Sequence, residues 1–311
     1  MKLKAVLTSK DIPVLLIGYN RPELIERRLI ELSQMEIKHL YISIDGGLKG
    51  NYSKFEFILS KTRNLFINME TFKVNYYKRN LGMVEHINLA INKVFEEFNY
   101  VIIVEDDISL SNNFYVNMVN GFNTQSKNNL TGIVGAFSPL ELSRLKIISN
   151  RWRITSYVPI WGWGCSSYLW SQYNKDLSKE EIKDNLSKSK SWQSLSEFQK
   201  NVWLNRFYKI QKSPNLTWDV QLQYLSFLKN FQNLVPLSRF IENEGFSDLR
   251  AVHTKGTRPR WLGKESLCEG VIGSNKIMKN SMLFSRMIDS NTYAGDTKYF
   301  HLWYRLKQNS R

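Results

Sequence analysis

Residues 100–107 read Tyr-Val-Ile-Ile-Val-Glu-Asp-Asp, an apolar run that stops at three consecutive acids. A short, uninterrupted apolar run predicts a strand that is buried on both faces, as in a parallel sheet. Residues 84–98 precede it and repeat apolar side chains at helical spacing, which predicts an amphipathic helix. A helix followed directly by a buried strand is the unit from which α/β folds are built.

The same alternation runs back towards the N-terminus. Apolar runs at residues 12–18, 39–47 and 72–80 predict three more strands, and stretches with helical spacing separate them. Strands joined by helices of this length predict right-handed crossovers and a mostly parallel central sheet flanked by helices, so the expected fold class is α/β. Ligands of such sheets bind beyond the carboxyl ends of the strands. Polar residues stand at three of these ends: Asn20-Arg21, Asp45-Gly46 and Glu105-Asp106-Asp107.

The second half of the sequence is less regular. Residues 131–137 predict one further strand, and residues 213–231 predict a helix with Pro214 near its beginning. Residues 174–200 are rich in Lys, Ser and Glu and have little apolar periodicity. They are expected to form a solvated helical insertion or a mobile lid. The chain after residue 256 is basic.

The composition is that of a globular protein with a net positive charge. Of 311 residues, 42% are hydrophobic and 23% are charged, which excludes long disorder. Lys and Arg exceed Asp and Glu by 43 − 28 = 15, which favours nucleic acid, an anionic membrane or a phosphorylated small molecule as partner. Nucleic acid is not expected, because the basic residues are dispersed. Clusters at 144–153, 255–264 and the C-terminal end suit an anionic membrane surface, or reflect coding bias.

Cysteine content and hydropathy bear on the compartment. Cys165 and Cys268 are too few for a disulfide framework and fit a reducing environment. No apolar run approaches the roughly 20 residues that span a bilayer, and no signal-peptide pattern opens the chain. The expected location is cytoplasmic, with peripheral binding to the inner face of the cell membrane if the basic clusters contact lipid.

The three acids at residues 105–107 allow two interpretations. Adjacent carboxylates at the end of a buried strand repel one another, and a divalent cation relieves that repulsion. Carboxylate oxygens suit Mg²⁺ or Mn²⁺, which in turn bridge phosphate oxygens. The alternative is a solvated acidic turn that caps the helix expected near Asn112. The sequence has no His/Cys zinc cluster, no Walker-type loop and no Gly-x-Gly-x-x-Gly fingerprint after the first strand.

Several short motifs occur in an order that resembles one enzyme family. They are IPVLLIGYNRPE (12–23), YISIDGG (41–47), HINLAINKVFEEF (86–98), VIIVEDD (101–107), WGWGC (161–165), TWDVQL (217–222) and VPLSRFIENEGF (235–246). In this order they resemble the GT-A glycosyltransferases, nearest to the N-acetylglucosaminyltransferase I type and to bacterial glycosyltransferase family 2-like enzymes. The resemblance covers roughly residues 12–255.

The resemblance implies roles for individual residues. Arg21 and Asp45 would hold the uracil and ribose of a nucleotide-sugar, with His86 near the base. Glu105 and Asp106 would contact the sugar nucleotide, and Asp107 would coordinate Mn²⁺ or Mg²⁺. Asp219 would be the general base. The remaining candidates are Arg239 as a phosphate contact, Trp161, Trp163 and Trp218 as platforms for sugar, and His253 as a second metal ligand or phosphate contact.

Each of these residues also has a structural alternative. Arg21 and Asp45 suit turns, and His86 suits packing within an amphipathic helix. Asp219 suits the N-terminus of a helix, where a carboxylate is favourable. The tryptophans suit the core, Arg239 suits pairing with a core acid, and the resemblance assigns His253 no fixed role.

The implied function is a metal-dependent inverting glycosyltransferase. It would move a sugar from a nucleotide-sugar, expected to be a UDP-sugar, to a hydroxyl of a bacterial surface glycan or a lipid-linked acceptor. The implied division is a nucleotide-sugar-binding half (1–137), an acceptor and catalytic-base half (138–255) and a basic C-terminal extension (256–311). A nucleotidyltransferase is an alternative, although GYNRPE is a poor match to its phosphate loop. The other alternative is a non-enzymatic protein that binds glycan or nucleic acid.

Overall fold

The structure is a computed structural model that describes residues 6–47, 51–139, 151–247, 267–274, 276–278, 289 and 292–293. Its first four strands are mutually parallel: β1 (Val14–Gly18), β2 (His39–Ile44), β3 (Thr71–Tyr76) and β4 (Tyr100–Glu105). Helices α1 (Pro22–Ser33), α2 (Asn51–Thr62) and α3 (Met83–Phe95) connect them. The predicted α/β fold class, with a central sheet flanked by helices, is confirmed.

Sequence periodicity explains these elements well. All four residues from Val101 to Val104 are buried, as expected for a strand covered on both faces. Helix α3 buries one stripe against the sheet, made by Val84, His86, Ile87, Ala90, Ile91 and Val94. Helix α1 starts at Pro22, whose missing N–H costs nothing in the first turn.

Four further strands complete an eight-stranded sheet. They are β6 (Val134–Gly135), β7 (Trp152–Thr155), β8 (Trp163–Ser166) and β9 (Asn233–Pro236), in the sheet order β3-β2-β1-β4-β8-β6-β9-β7. Strand β8 is antiparallel to β4 and β6, and β7 is antiparallel to β9, so the parallel part of the sheet lies mainly in its N-terminal half. Strands β5 (Ile108–Leu110) and β10 (Ile241–Asn243) form a separate antiparallel pair, and α4 (Phe114–Lys127) follows β5.

Residues 174–200 contain helices, as expected, and most of their side chains are exposed or half-buried, but one face is buried, which a solvated insertion does not predict. Helices α5 (Ser167–Trp170), α6 (Ile182–Ser187), α7 (Lys190–Gln193), α8 (Glu197–Lys212) and α9 (Asp219–Leu228) occupy this region and its flanks. Their large apolar residues, including Leu186, Trp192, Phe207 and Phe227, form a hydrophobic cluster of their own. A few large side chains carry this cluster, and the Lys and Ser residues between them hide its periodicity. The predicted strand at 131–137 is reduced to Val134–Gly135.

The described part of the C-terminal region packs against the sheet and α4. Asn117 accepts a hydrogen bond from the amide of Ile272 (2.7 Å) and donates one to the carbonyl of Gly270 (2.9 Å). Trp152 in β7 exchanges backbone hydrogen bonds of 2.8 Å with Lys276 and Met278. The basic cluster at 255–264 and the C-terminal end lie outside the described residues. No helix in the described part of the chain is long and apolar enough to cross a bilayer.

One ion pair anchors this C-terminal region in the interior. The guanidinium of Arg153 on β7 donates to both carboxylate oxygens of Asp289, at 2.6 and 2.8 Å. The hydroxyl of Thr155 donates to the same carboxylate at 2.5 Å. Arg153 and Asp289 are 1% and 0% exposed, so neither charge has water as an alternative partner. Such a pair is costly to break from one side, because the remaining charge stays buried.

We therefore expect Asp289→Asn to lower the free energy of unfolding by about 3–5 kcal/mol, because Arg153 loses its counter-charge. Urea unfolding followed by circular dichroism measures this change. Glu97→Gln is the matched control, because Glu97 pairs with Lys73 at the surface and water replaces the partner. Equal urea midpoints for the two variants would contradict the assignment.

Candidate functional site

A cavity of about 830 Å³ opens at the carboxyl ends of β1, β2 and β4. Because β2, β1 and β4 are neighbours in the sheet, residues that follow them lie side by side. Nine of the predicted site residues line the cavity: Arg21, Asp45, His86, Glu105, Asp106, Asp107, Trp161, Trp218 and Asp219. Residues that are far apart in the sequence thus meet in one cleft.

Arg21 organises the acidic cluster. Its Nε donates to Asp106 at 3.2 Å, one Nη contacts the other oxygen of Asp106, and the same Nη lies 3.1 Å from Asp107. Burial alone would lower the pKa of Arg21, but the two carboxylates raise it above its ordinary value. The pKa of Asp106 is raised because burial outweighs the effect of Arg21. Burial, with the charges of Asp107 and Asp106, also raises the pKa of Glu105. One cation therefore compensates the cluster only in part.

The cluster fits a divalent cation that is shared with a phosphate ligand. Within the described ranges, no group of three metal-ligating side chains could hold a cation by itself. Both oxygens of Asp106 are engaged by Arg21, whereas Asp107 meets Arg21 through Oδ2. Mg²⁺ is commonly held by one or two carboxylates together with substrate phosphates and water. Asp107 is the residue best placed to contribute such a carboxylate.

Asp45 is fixed by its own loop. One of its carboxylate oxygens accepts hydrogen bonds from the amides of Gly46 (2.9 Å) and Leu81 (2.8 Å). A Cβ at Gly46 would lie 1.7 Å from the carbonyl oxygen of Tyr77, so this turn tolerates glycine alone. Asp45, held in this way, lines the cavity.

His86 reaches the cavity from α3 as a neutral side chain. Its Nε2 lies 2.9 Å from the hydroxyl of Ser43, and its ring meets Tyr77 edge-on. Burial lowers the pKa of His86 to about 4, although the charge of Asp45 opposes this shift. Near neutral pH the imidazole therefore offers hydrogen bonds without a positive charge.

Asp219 is the first residue of α9, where the helix dipole favours a carboxylate. The hydroxyl of Thr217 donates a short hydrogen bond to it. Asp219 and Glu105 line the same cavity, and Trp218, which precedes Asp219, stacks on Trp163 of β8, the neighbour of β4 on the side away from β1. Asp219 therefore lies beside the acidic cluster, on the side away from β1 and β2.

Three predicted positions differ from their expected roles or fall outside the description. Trp163 is 0% exposed and stacks on Trp218 at 5.2 Å within the core, so its face cannot bind a sugar. Arg239 is buried behind the cavity, where Nε donates to the carbonyl of Ser138 and the guanidinium covers the ring of Phe137. Neither Trp163 nor Arg239 is among the lining residues of the cavity. His253 lies outside the described residues.

The sequence analysis missed a second group of lining residues. Trp203 and Arg206 on α8, and Thr292 and Tyr293 near the C-terminus, close the cavity beside Asp219. Trp203 and Arg206 are three positions apart, which places them on one helix face. That spacing is readable from the sequence, but by itself it does not distinguish a packed helix face from a binding site. Thr292 and Tyr293 carried no local signal.

Comparisons with known proteins give weak similarities of fold. No protein-family model matches the sequence, and no curated protein matches it significantly. Among solved structures, the mannosyltransferase PcManGT from Pyrobaculum calidifontis in complex with GDP-Man and Mn²⁺ superposes with a TM-score of 0.43 at 10% identity, over 70% of this chain and 69% of that one. TarS from S. aureus gives 0.43 at 13% identity, over 74% and 36%. UDP-glucose pyrophosphorylase complexed with UDP-glucose gives 0.38 at 8% identity, over 75% and 93%. Similarity at this level carries no functional argument.

The buried, neutral state of His86 predicts a pH dependence of stability. In the unfolded chain histidine binds a proton near pH 6.5, whereas His86 in the folded protein does so only near pH 4. Between these values the unfolded state binds more protons, so stability falls as the pH falls. From this residue we expect a loss of about 2 kcal/mol between pH 7 and pH 5. Urea unfolding of the wild type and of His86→Gln at both pH values tests this, and an equal loss in both proteins would refute it.

Proposed function

We propose that the chain is a GT-A-type inverting glycosyltransferase that uses a divalent cation. It moves a sugar from a nucleotide-sugar, in our proposal a UDP-sugar, to a hydroxyl of a bacterial surface glycan or a lipid-linked acceptor. The observation that carries this proposal is that Asp45 after β2, the cluster at residues 105–107 after β4 and Asp219 line one cavity, with Trp218, next to Asp219, stacked on Trp163 of β8. The order matches the three parts of the reaction: nucleoside, diphosphate and acceptor.

The nucleoside occupies the end of the cavity beside β2. The carboxylate of Asp45 is held by two amides and accepts hydrogen bonds from ribose hydroxyls. The Nη1 of Arg21 is buried and has no hydrogen-bond partner among the described residues, which suits a carbonyl oxygen of the base. His86 lies beside Asp45 and offers a neutral imidazole to the base. Asp45 therefore selects the sugar of the nucleoside, while Arg21 and His86 position the base.

The diphosphate occupies the middle of the cavity. Asp107 would hold Mn²⁺ or Mg²⁺ there, and the cation, when bound, supplies the positive charge that stabilises the leaving diphosphate. Arg21 orients Asp106 and Asp107 from one side. Glu105 and Asp106 lie next to the position of the donor sugar and orient its hydroxyls. Without a cation, these carboxylates would repel a diphosphate.

The acceptor occupies the end beside α9. Asp219 accepts the proton of the attacking hydroxyl as general base. A single attack from the side opposite the leaving group inverts the anomeric centre, so one base is sufficient. Trp161 is half-buried, lines the cavity and is braced by Phe137 and Phe246. It offers a sugar-binding face, and Trp218 contributes a buried edge.

We expect Asp107→Asn to remove the enhancement of UDP binding by Mn²⁺, because the variant loses the carboxylate that the cation requires. Isothermal titration of UDP with and without Mn²⁺ measures this effect directly. Asp184→Asn on the exposed face of α6 is the control and retains the enhancement. Unchanged metal-linked UDP binding in Asp107→Asn would remove Asp107 from the metal site.

We expect Asp219→Asn to bind UDP with Mn²⁺ as the wild type does, while turnover falls by about 10²–10⁴-fold, because the amide cannot accept the proton. Release of UDP, GDP or dTDP from a panel of sugar nucleotides identifies the donor for this assay. A fully active variant would exclude Asp219 as base. Synthesis of a sugar nucleotide from a nucleoside triphosphate and a sugar 1-phosphate would instead favour a nucleotidyltransferase.

A further inference from the structure

We propose that the acceptor carries a negatively charged group, a phosphate or a carboxylate, and that Arg206 binds it beside Asp219. This inference rests on the proposed function and names the chemical class of the acceptor. Among the described residues that line the cavity, Arg21 and Arg206 are the two cationic side chains. Arg21 is already engaged by Asp106 and Asp107. No carboxylate in the described part of the chain lies within 4.0 Å of the guanidinium of Arg206.

The guanidinium of Arg206 is held in a defined orientation. Its central carbon lies 4.5 Å from the ring centroid of Trp203, one turn earlier on α8. Its Nη1 donates to the backbone carbonyl of Tyr293 at 2.6 Å. A planar guanidinium fixed by a ring face and one hydrogen bond presents its remaining N–H groups as a fork, the geometry that binds carboxylate and phosphate.

The electrostatics of this position leave room for an anion. Burial lowers the pKa of Arg206 from its ordinary value, and the nearby charge of Asp219 only partly opposes this shift. Asp219 is close enough to act on Arg206 but does not form an ion pair with it. The side chain as a whole is exposed, so an anion that enters the cavity can reach its remaining N–H groups.

The location favours the acceptor over the donor as the source of that anion. Asp45 lies at the end of β2, whereas Trp203, on which Arg206 stacks, packs against Tyr157 just after β7, at the other edge of the sheet. Neighbouring strands are about 4.8 Å apart, so the nucleoside end lies roughly 10 Å from the end of β4. Arg206 lies beyond that point, with the general base. Its charge also offsets the repulsion that Asp219 exerts on an anionic acceptor.

The test follows the Nε–Hε resonance of Arg206 by NMR in arginine-labelled protein, with Arg206→Lys used to assign it. UDP and Mg²⁺ are added first, and glucose 6-phosphate, glucuronate and glucose are then titrated separately. We expect the chemical shift of this resonance to be unchanged by UDP with Mg²⁺ and by glucose. With each of the two anionic sugars it should change and reach saturation. The two anionic probes distinguish a phosphate from a carboxylate as the preferred group.

Matched variants give the affinity change. Arg206→Gln should weaken binding of the preferred anionic sugar at least ~10-fold, as expected for the loss of a charge-assisted hydrogen bond, and Arg206→Lys should weaken it less. Arg27→Gln, an exposed arginine on α1, is the control and keeps the wild-type affinity. Thermal melting of each variant shows that the fold is retained.

Three results would overturn the inference. The first is an Arg206 resonance that does not shift with either anionic sugar, and the second is an equal shift with glucose. The third is a shift produced by UDP with Mg²⁺ alone, which would assign Arg206 to the donor. If UDP does not bind in the same samples, the proposed function is contradicted rather than the inference about Arg206. The anionic sugars are therefore also titrated without nucleotide, where the same shift of Arg206 is required.

Discussion

Arg21 contacts both Asp106 and Asp107, and this contact allows three consecutive carboxylates to end a buried strand. Like charges in a low-dielectric setting repel one another and are costly to bury. A single guanidinium cannot compensate three carboxylates together with Asp219 opposite them. Burial first, and then the neighbouring carboxylates, raise the pKa of Glu105 to about 8, so this group resists ionisation near neutral pH. A cation that arrives with a diphosphate would supply the positive charge that the cluster lacks.

The sheet turns this local constraint into an ordered site. Because β2, β1 and β4 are adjacent and parallel, the residues that follow them form a row at one edge. Gly46 lets the loop after β2 approach the chain near Tyr77, and this fixes Asp45 at one end of the row. The N-terminus of α9 supplies Asp219 at the other end. Thr292 and Tyr293 of the C-terminal region close this end of the cavity. The ion pair between Arg153 on β7 and Asp289 holds this region in the interior.

The sequence predicts what depends on local periodicity. The apolar run at 101–104 and the apolar stripe of α3 predict the parallel N-terminal part of the sheet. The polar residues at the ends of its strands predict the part of the site formed by Arg21, Asp45 and the cluster at residues 105–107. Long-range packing is not encoded in such patterns. Arg153 and Asp289 are 136 residues apart and pair only in the folded chain. Trp163 looked like a sugar platform, because a Gly-rich aromatic motif does not reveal which face is buried. Arg206 follows the polar stretch at 174–200, and its spacing from Trp203 does not by itself reveal that it lines a cavity.

The central claim is that the carboxylates after β4 hold a cation against a diphosphate between Asp45 and Asp219. A crystal structure of the protein with UDP and Mn²⁺, with anomalous scattering used to locate the metal, tests it most directly. The account predicts a manganese peak about 2 Å from a carboxylate oxygen of Asp107 and from the phosphates, with the ribose at Asp45. A peak remote from Asp107, or UDP bound outside this cavity, would contradict it.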